Sequence, residues 1–168
     1  MDKQSVLEHL AGVRAALLTA VEGLSEAEMT TLPVAGVWTI KDILAHISGW
    51  AAWDLARIRS ILAGERPDFS EIQEVDTFNA RLVAERDAWP LDQILAEMRD
   101  TQTALQELLA NMPDEDLFRV GPFQGPYWDN LAGWLQVTWE HEEEHVAQIQ
   151  AWRATQRARR ARSQNTVP

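Results

Sequence analysis

The C-terminal part of the chain contains His141-Glu142-Glu143-Glu144-His145, two imidazoles four residues apart. On a helix this spacing puts both rings on one side, one turn apart, where they can reach a single metal ion with little strain. The run also satisfies H-E-x-x-H, in which a helix gives two zinc ligands and the glutamate polarises water. Peptidases of that type usually take a third ligand from downstream, yet no histidine, aspartate or glutamate follows His145. A third imidazole from upstream would make a different kind of site, and His46 is the candidate. The remaining histidine, His9, borders an apolar stripe near the N-terminus and reads as solvated or merely packed.

Spacing alone does not separate a metal-binding pair from two solvated rings; burial does. At about 100° per residue, Leu131, Trp134, Leu135, Thr138, Ile149 and Trp152 share one face of the last helix. His141, Glu142 and His145 fall in the same sector, whereas Glu140, Glu143 and Glu144 point elsewhere as ordinary solvated charges. Two imidazoles and a carboxylate packed among tryptophans need partners or lose solvation worth several kcal/mol. Glu142 is the candidate catalytic group: a general base on a metal-bound water, a fourth ligand, or a hydrogen-bond acceptor. Asp54, two turns beyond His46, could accept from an imidazole N–H, pair with a buried arginine, or sit as a charge at a pocket edge.

The elements that must position these groups are helices. Val6, Leu10, Val13, Leu17 and Val21 form one stripe of a helix over about residues 2–22. Ser25 with Glu28 and Thr39 with Asp42 read as capping boxes, the second opening a helix of about six turns that carries His46 and stops near Gly64. Residues 65–74 read as a connection and Phe78, Leu82 and Val83 as a shorter helix. Pro90 then starts a helix reaching Asn111, where Pro113 closes it. The Gly- and Pro-rich run 118–126 reads as loop, and the last helix spans about residues 128–157. No segment alternates long enough for a convincing strand. The expectation is an all-α, up-and-down four-helix bundle: one domain over residues 1–158, then a basic, disordered tail over 159–168.

Composition narrows the chemistry. With 168 residues and no cysteine, the chain has the length of one domain and cannot form disulfides, thiolate ligands or an internal thiol nucleophile. Any thiol chemistry needs a thiol cosubstrate. A net charge of −11 opposes non-specific binding to duplexes and anionic lipid, with Arg153, Arg157, Arg159, Arg160 and Arg162 as a local exception. No signal peptide or bilayer-length apolar run is present, so the expected partners include neither nucleic acid nor membrane, and the expected location is the cytoplasm.

The run Trp38-Thr39-Ile40-Lys41-Asp42-Ile43-Leu44-Ala45-His46, then Trp50, then Trp139-Glu140-His141 through His145-Val146-Ala147-Gln148-Ile149, resembles the DinB superfamily of four-helix bundles. That superfamily includes YfiT-like proteins, bacillithiol transferases, mycothiol-dependent maleylpyruvate isomerases and the ClbS/DfsB group. The resemblance implies a divalent metal, zinc or nickel, held by His46, His141 and His145 with water in an open position, in a protein that is often a dimer. It also implies a small-molecule substrate and, for several members, transfer or activation of a low-molecular-weight thiol. Glu142 departs from any fixed family pattern, because the superfamily varies at that position. Two functions follow as expectations: a metal-dependent thiol transferase or hydrolase, and a non-catalytic protection protein that binds metal or a small hydrophobic molecule among Trp50, Trp53, Trp134 and Trp139.

Overall fold

The structure, a computed structural model, describes residues 1–164. Its helices in chain order are α1 (Lys3–Val21), α2 (Glu26–Thr31), α3 (Ile40–Leu62), α4 (Val75–Arg86), α5 (Leu91–Asn111), α6 (Asp114–Phe118) and α7 (Leu131–Gln164). The long helices α1, α3, α5 and α7 make the bundle. Among the described residues there is no strand, only an isolated bridge between Ala35 and Trp38, and no helix is long and apolar enough to cross a membrane.

Both capping boxes form. Ser25 and Glu28 exchange side-chain and backbone hydrogen bonds at the start of α2, as do Thr39 and Asp42 at the start of α3. α3 stops because Gly64 adopts φ 90°, a left-handed conformation that suits glycine, while Gly64 N–H donates to Ile61 O and Glu65 N–H to Ser60 O. α7 continues as helix through Arg162 to Gln164, within the segment expected as a tail. The rest of that segment, residues 165–168, lies outside the described residues.

Cross-helix contacts fix the directions. Lys3 Nζ donates to Met112 O and Gln102 Nε2 to Leu10 O, so α1 and α5 run opposite ways. Arg14 meets Glu142, and Arg153 meets Ala20 O, so α1 and α7 run the same way. His46 faces His141, and Asp54 faces Trp134, so α3 opposes α7. The order up, down, down, up refines the simple alternation: residues 63–90 cross over between α3 and α5. They carry a 3-10 turn (Ser70–Ile72) and α4, which packs on α3. Gly49 on α3 permits that approach, since a Cβ there would stand 2.9 Å from Leu82 Cβ.

Two apolar clusters fill the bundle. One gathers Leu10, Val13, Ile58, Leu105, Leu109 and Trp134; the other gathers Leu17, Ile43, Leu44, Met98 and Ile149. Among the buried residues is a polar group contributed by α1, α3 and α7, made of Arg14, His46, Ser48, Glu142 and His145, with Arg86 of α4 also buried.

Candidate metal centre

The polar group owes its shape to helix geometry. His141 and His145 sit one turn apart on the face of α7 toward α3, and His46 reaches them from mid-α3. His46 Nε2 stands 3.0 Å from His141 Nε2, and His145 Nε2 stands 3.1 Å from the same atom. One ring nitrogen from each of the three residues lies within 4.8 Å of the others. Four-coordinate zinc with bonds of about 2.0–2.1 Å separates neighbouring ligand nitrogens by about 3.3 Å. The two contacts to His141 are shorter than this by only a few tenths of an ångström.

These contacts cannot all be hydrogen bonds. A neutral imidazole nitrogen offers either one N–H or one lone pair, so His141 Nε2 can pair with only one of its two neighbours. His145 Nδ1 lies 2.9 Å from Gln148 Oε1, an arrangement that puts the proton on Nδ1 and leaves the lone pair on Nε2. His46 is 1% exposed and its Nδ1 is buried with no partner. Trp38 covers its ring at 4.8 Å, and Trp50 meets it edge-on at 6.5 Å.

The protonation balance favours ligands over cations. Burial, reinforced by His141 and His145, pushes His46 down to about 3. Burial, with His145 beside it, pushes His141 down to about 4. Burial also lowers His145, against the opposing pull of Gln148, Glu144 and Glu142. Three neutral imidazoles converging on one point make a donor set suited to zinc or nickel.

The other residues singled out by sequence have different partners. Both Glu142 oxygens are taken by Arg14: Nε donates to Oε1 at 2.6 Å and Nη2 to Oε2 at 3.1 Å. Glu142 is therefore not among the groups that converge with the imidazoles. Asp54 pairs with neither an imidazole nor an arginine; it accepts from Trp134 Nε1–H at 2.8 Å and Thr138 Oγ1–H at 3.0 Å. Burial raises its carboxyl to about 7 against those two hydrogen bonds. His9 stays exposed and stacks on Trp139, centroids 5.1 Å apart.

Beside the imidazoles lies a cavity of about 200 Å³ whose wall includes His141, Asp54, Trp50, Trp128 and Trp134. The loop before α7 supplies Tyr127 and Trp128; the last helix, expected from about residue 128, begins at Leu131, so Trp128 belongs to the loop and its place on the cavity wall is not marked by helical periodicity. Trp53 and Trp139 are not on this wall.

The profile of the DinB superfamily matches residues 9–149. The chain belongs to the DinB superfamily. No curated protein matches the chain. Among solved structures, this DinB chain is similar to an uncharacterised protein from Escherichia coli UTI89, with TM-score 0.83, 13% identity, and 93% and 95% of the two chains covered. It is similar to DfsB, described as a sibling lethal factor precursor, with TM-score 0.81, 19% identity and coverage of 94% and 98%. It is also similar to the colibactin self-resistance protein ClbS, solved in complex with dsDNA, with TM-score 0.75, 11% identity and coverage of 88% and 93%. Such identities speak for a shared fold.

Proposed function

We propose that this DinB protein holds one divalent metal ion, zinc or nickel, on His46, His141 and His145 and acts on a small molecule bound in the adjoining cavity, as a thiol transferase or hydrolase. The observation that carries the reading is the meeting of three buried imidazole nitrogens whose short contacts cannot all be hydrogen bonds. A bound ion would supply Lewis-acid activation of a thiol or a water. With no cysteine in the chain, a thiol would arrive as cosubstrate.

The chain's own residues bind and orient. Gln148 holds His145 in the tautomer that aims Nε2 inward, and Trp38 and Trp50 limit water around His46. Glu142 enters this reading as Arg14's partner, since each of its oxygens accepts from that guanidinium and neither is among the atoms that converge with the imidazoles. The dsDNA complex belongs to ClbS; here a net charge of −11 disfavours a duplex, and Arg153 and Arg160 are paired with Ala20 O and Glu28.

The test is elemental analysis of protein purified without a histidine tag, wild type beside His145→Ala, followed by thiol-transfer and hydrolysis screens. We expect about one ion per wild-type chain and almost none in the variant. Near-zero metal in fully folded wild type would overturn the proposal. An ion without exchangeable solvent would favour the non-catalytic alternative.

A further inference from the structure

The cavity beside His141 has a charge pattern that selects its occupant. Its walls are mostly apolar, and no lysine or arginine lines it. Trp128 and Trp134 stack on each other with centroids 5.0 Å apart and planes 17° from parallel, and both line the cavity. Asp54, 2% exposed, is the one carboxyl group on the cavity wall. Each of its oxygens takes one neutral donor, Trp134 Nε1–H or Thr138 Oγ1–H, and each keeps a second acceptor direction. A buried carboxyl with no cation beside it is electrostatically incomplete. Arg14, which shares a second, small cavity with Asp54, is committed to Glu142 and Met98 O.

Size sets a second limit. A cavity of about 150 Å³ lined by apolar side chains admits benzene. A space of about 200 Å³ therefore takes one ring with a short substituent. Anionic molecules would meet Asp54 with no counter-charge, whereas a cation would meet both a carboxyl and indole π faces.

We propose that this cavity binds a ring-sized apolar molecule carrying a protonated amine, with the ammonium against Asp54 and the ring on the Trp128–Trp134 wall. The inference deepens the metal-site reading, since it takes the cavity beside His141 as the place where the reacting molecule sits. It names the substrate class as compact primary amines and excludes carboxylates and phosphates of the same size.

Three near-isosteric probes test it: benzylammonium, benzyl alcohol and benzoate, titrated at about pH 8, above the value of about 7 to which burial raises Asp54, against chelator-treated protein while tryptophan fluorescence is followed. Benzylammonium is expected to bind at least about tenfold more tightly than benzyl alcohol, with no saturation by benzoate. In Asp54→Asn that preference should collapse while benzyl alcohol still binds. Where Asp54→Asn does not fold, Val137→Lys at the 41% exposed edge of the cavity serves: the added cation should weaken benzylammonium and leave benzyl alcohol unchanged. Equal affinity for ammonium and alcohol in wild type, a preference that survives Asp54→Asn, or no binding by any probe overturns the proposal. Repeating the series on metal-loaded wild type and on His145→Ala separates the two readings. A chain that ranks the probes as expected yet never takes up metal fails only the metal site; one that takes up metal yet ignores the amine fails only this inference.

Discussion

Glu142 and His145 stand three residues apart on α7, both buried in the same polar group, yet their surroundings differ completely. Glu142 meets a partner of opposite charge that donates to both its oxygens, and Arg14 gives a further N–H to Met98 O. The Arg86–Glu97 pair beside α4 is closed in the same way: Nε and Nη2 donate to the two carboxylate oxygens, with Ser48 Oγ–H donating as well. At their converging Nε2 atoms His46, His141 and His145 meet one another rather than a group of opposite charge. A saturated network fixes helices in register, whereas an unsaturated one, kept buried at a cost in solvation, is where a ligand is awaited. The polar group thus contains a frame and a socket, and each half can be broken separately.

The largest effect is expected from the frame. Arg14→Ala strands a buried carboxylate, and removing one member of a buried pair costs about 3–5 kcal/mol. Urea unfolding in the presence of chelator should show that loss. Replacing both residues together, Arg14→Leu with Glu142→Leu, should recover most of it, because no buried charge is left alone. If Glu142→Gln instead abolished turnover while leaving metal content and stability intact, the contrast between frame and socket would be wrong and Glu142 would belong to the chemistry.

A smaller effect distinguishes the socket by pH. In the metal-free protein His46 and His141 are held down to about 3 and about 4, against 6.5 for a free side chain. Between about pH 4 and 6.5 the unfolded chain therefore binds more protons than the folded one, and stability falls as the pH falls. Asp54 acts in the opposite sense: its folded value of about 7 against 3.8 means that the folded chain binds the extra proton, so stability falls as pH rises across that interval. Three lowered imidazoles against one raised carboxyl leave a net loss of stability on acidification. Asp54→Asn should steepen it. A chelated protein whose unfolding midpoint is flat from pH 6.5 to 5 would mean that the imidazoles are not held neutral.

The socket was easier to read from sequence than the frame, and the reason is locality. His141 and His145 declare themselves by spacing, and both capping boxes by adjacent residues, because helical neighbours are three or four positions apart. Arg14 lies in the same stripe as Leu10 and Leu17, a position that marks a buried cation, but its partner is 128 residues away and no local rule connects them. Asp54 stands out in the sequence by its position two turns beyond His46, but its partners, an indole and a hydroxyl, do not, since donors on another helix leave no trace in its own periodicity. The short α6 and the 3-10 turn at Ser70–Ile72 escaped for a simpler reason: each is too short to show a period. Trp128 was legible as apolar but not as a cavity wall, because its loop is aimed by packing against Trp134 and by its Nε1–H donating to Phe123 O.

Gln148 offers the smallest and most selective test of the division. It is exposed, so removing its side chain leaves no cavity and strands no charge, and Gln148→Ala should leave unfolding in chelator within about 0.5 kcal/mol of wild type. Its one role at the site is to accept from His145 Nδ1–H, fixing the tautomer that presents Nε2 to the cluster. Losing such an outer contact weakens metal binding by about 10–100-fold when the contact is buried, and an exposed one belongs at or below the lower end. A competition titration with a zinc chelator should therefore show a drop of about tenfold, with Gln148→Glu restoring affinity because a carboxylate accepts the same hydrogen bond and makes the imidazole a stronger donor to the metal. Unchanged affinity in Gln148→Ala would place the tautomer under the control of the metal itself, and the outer contact would then belong with the frame.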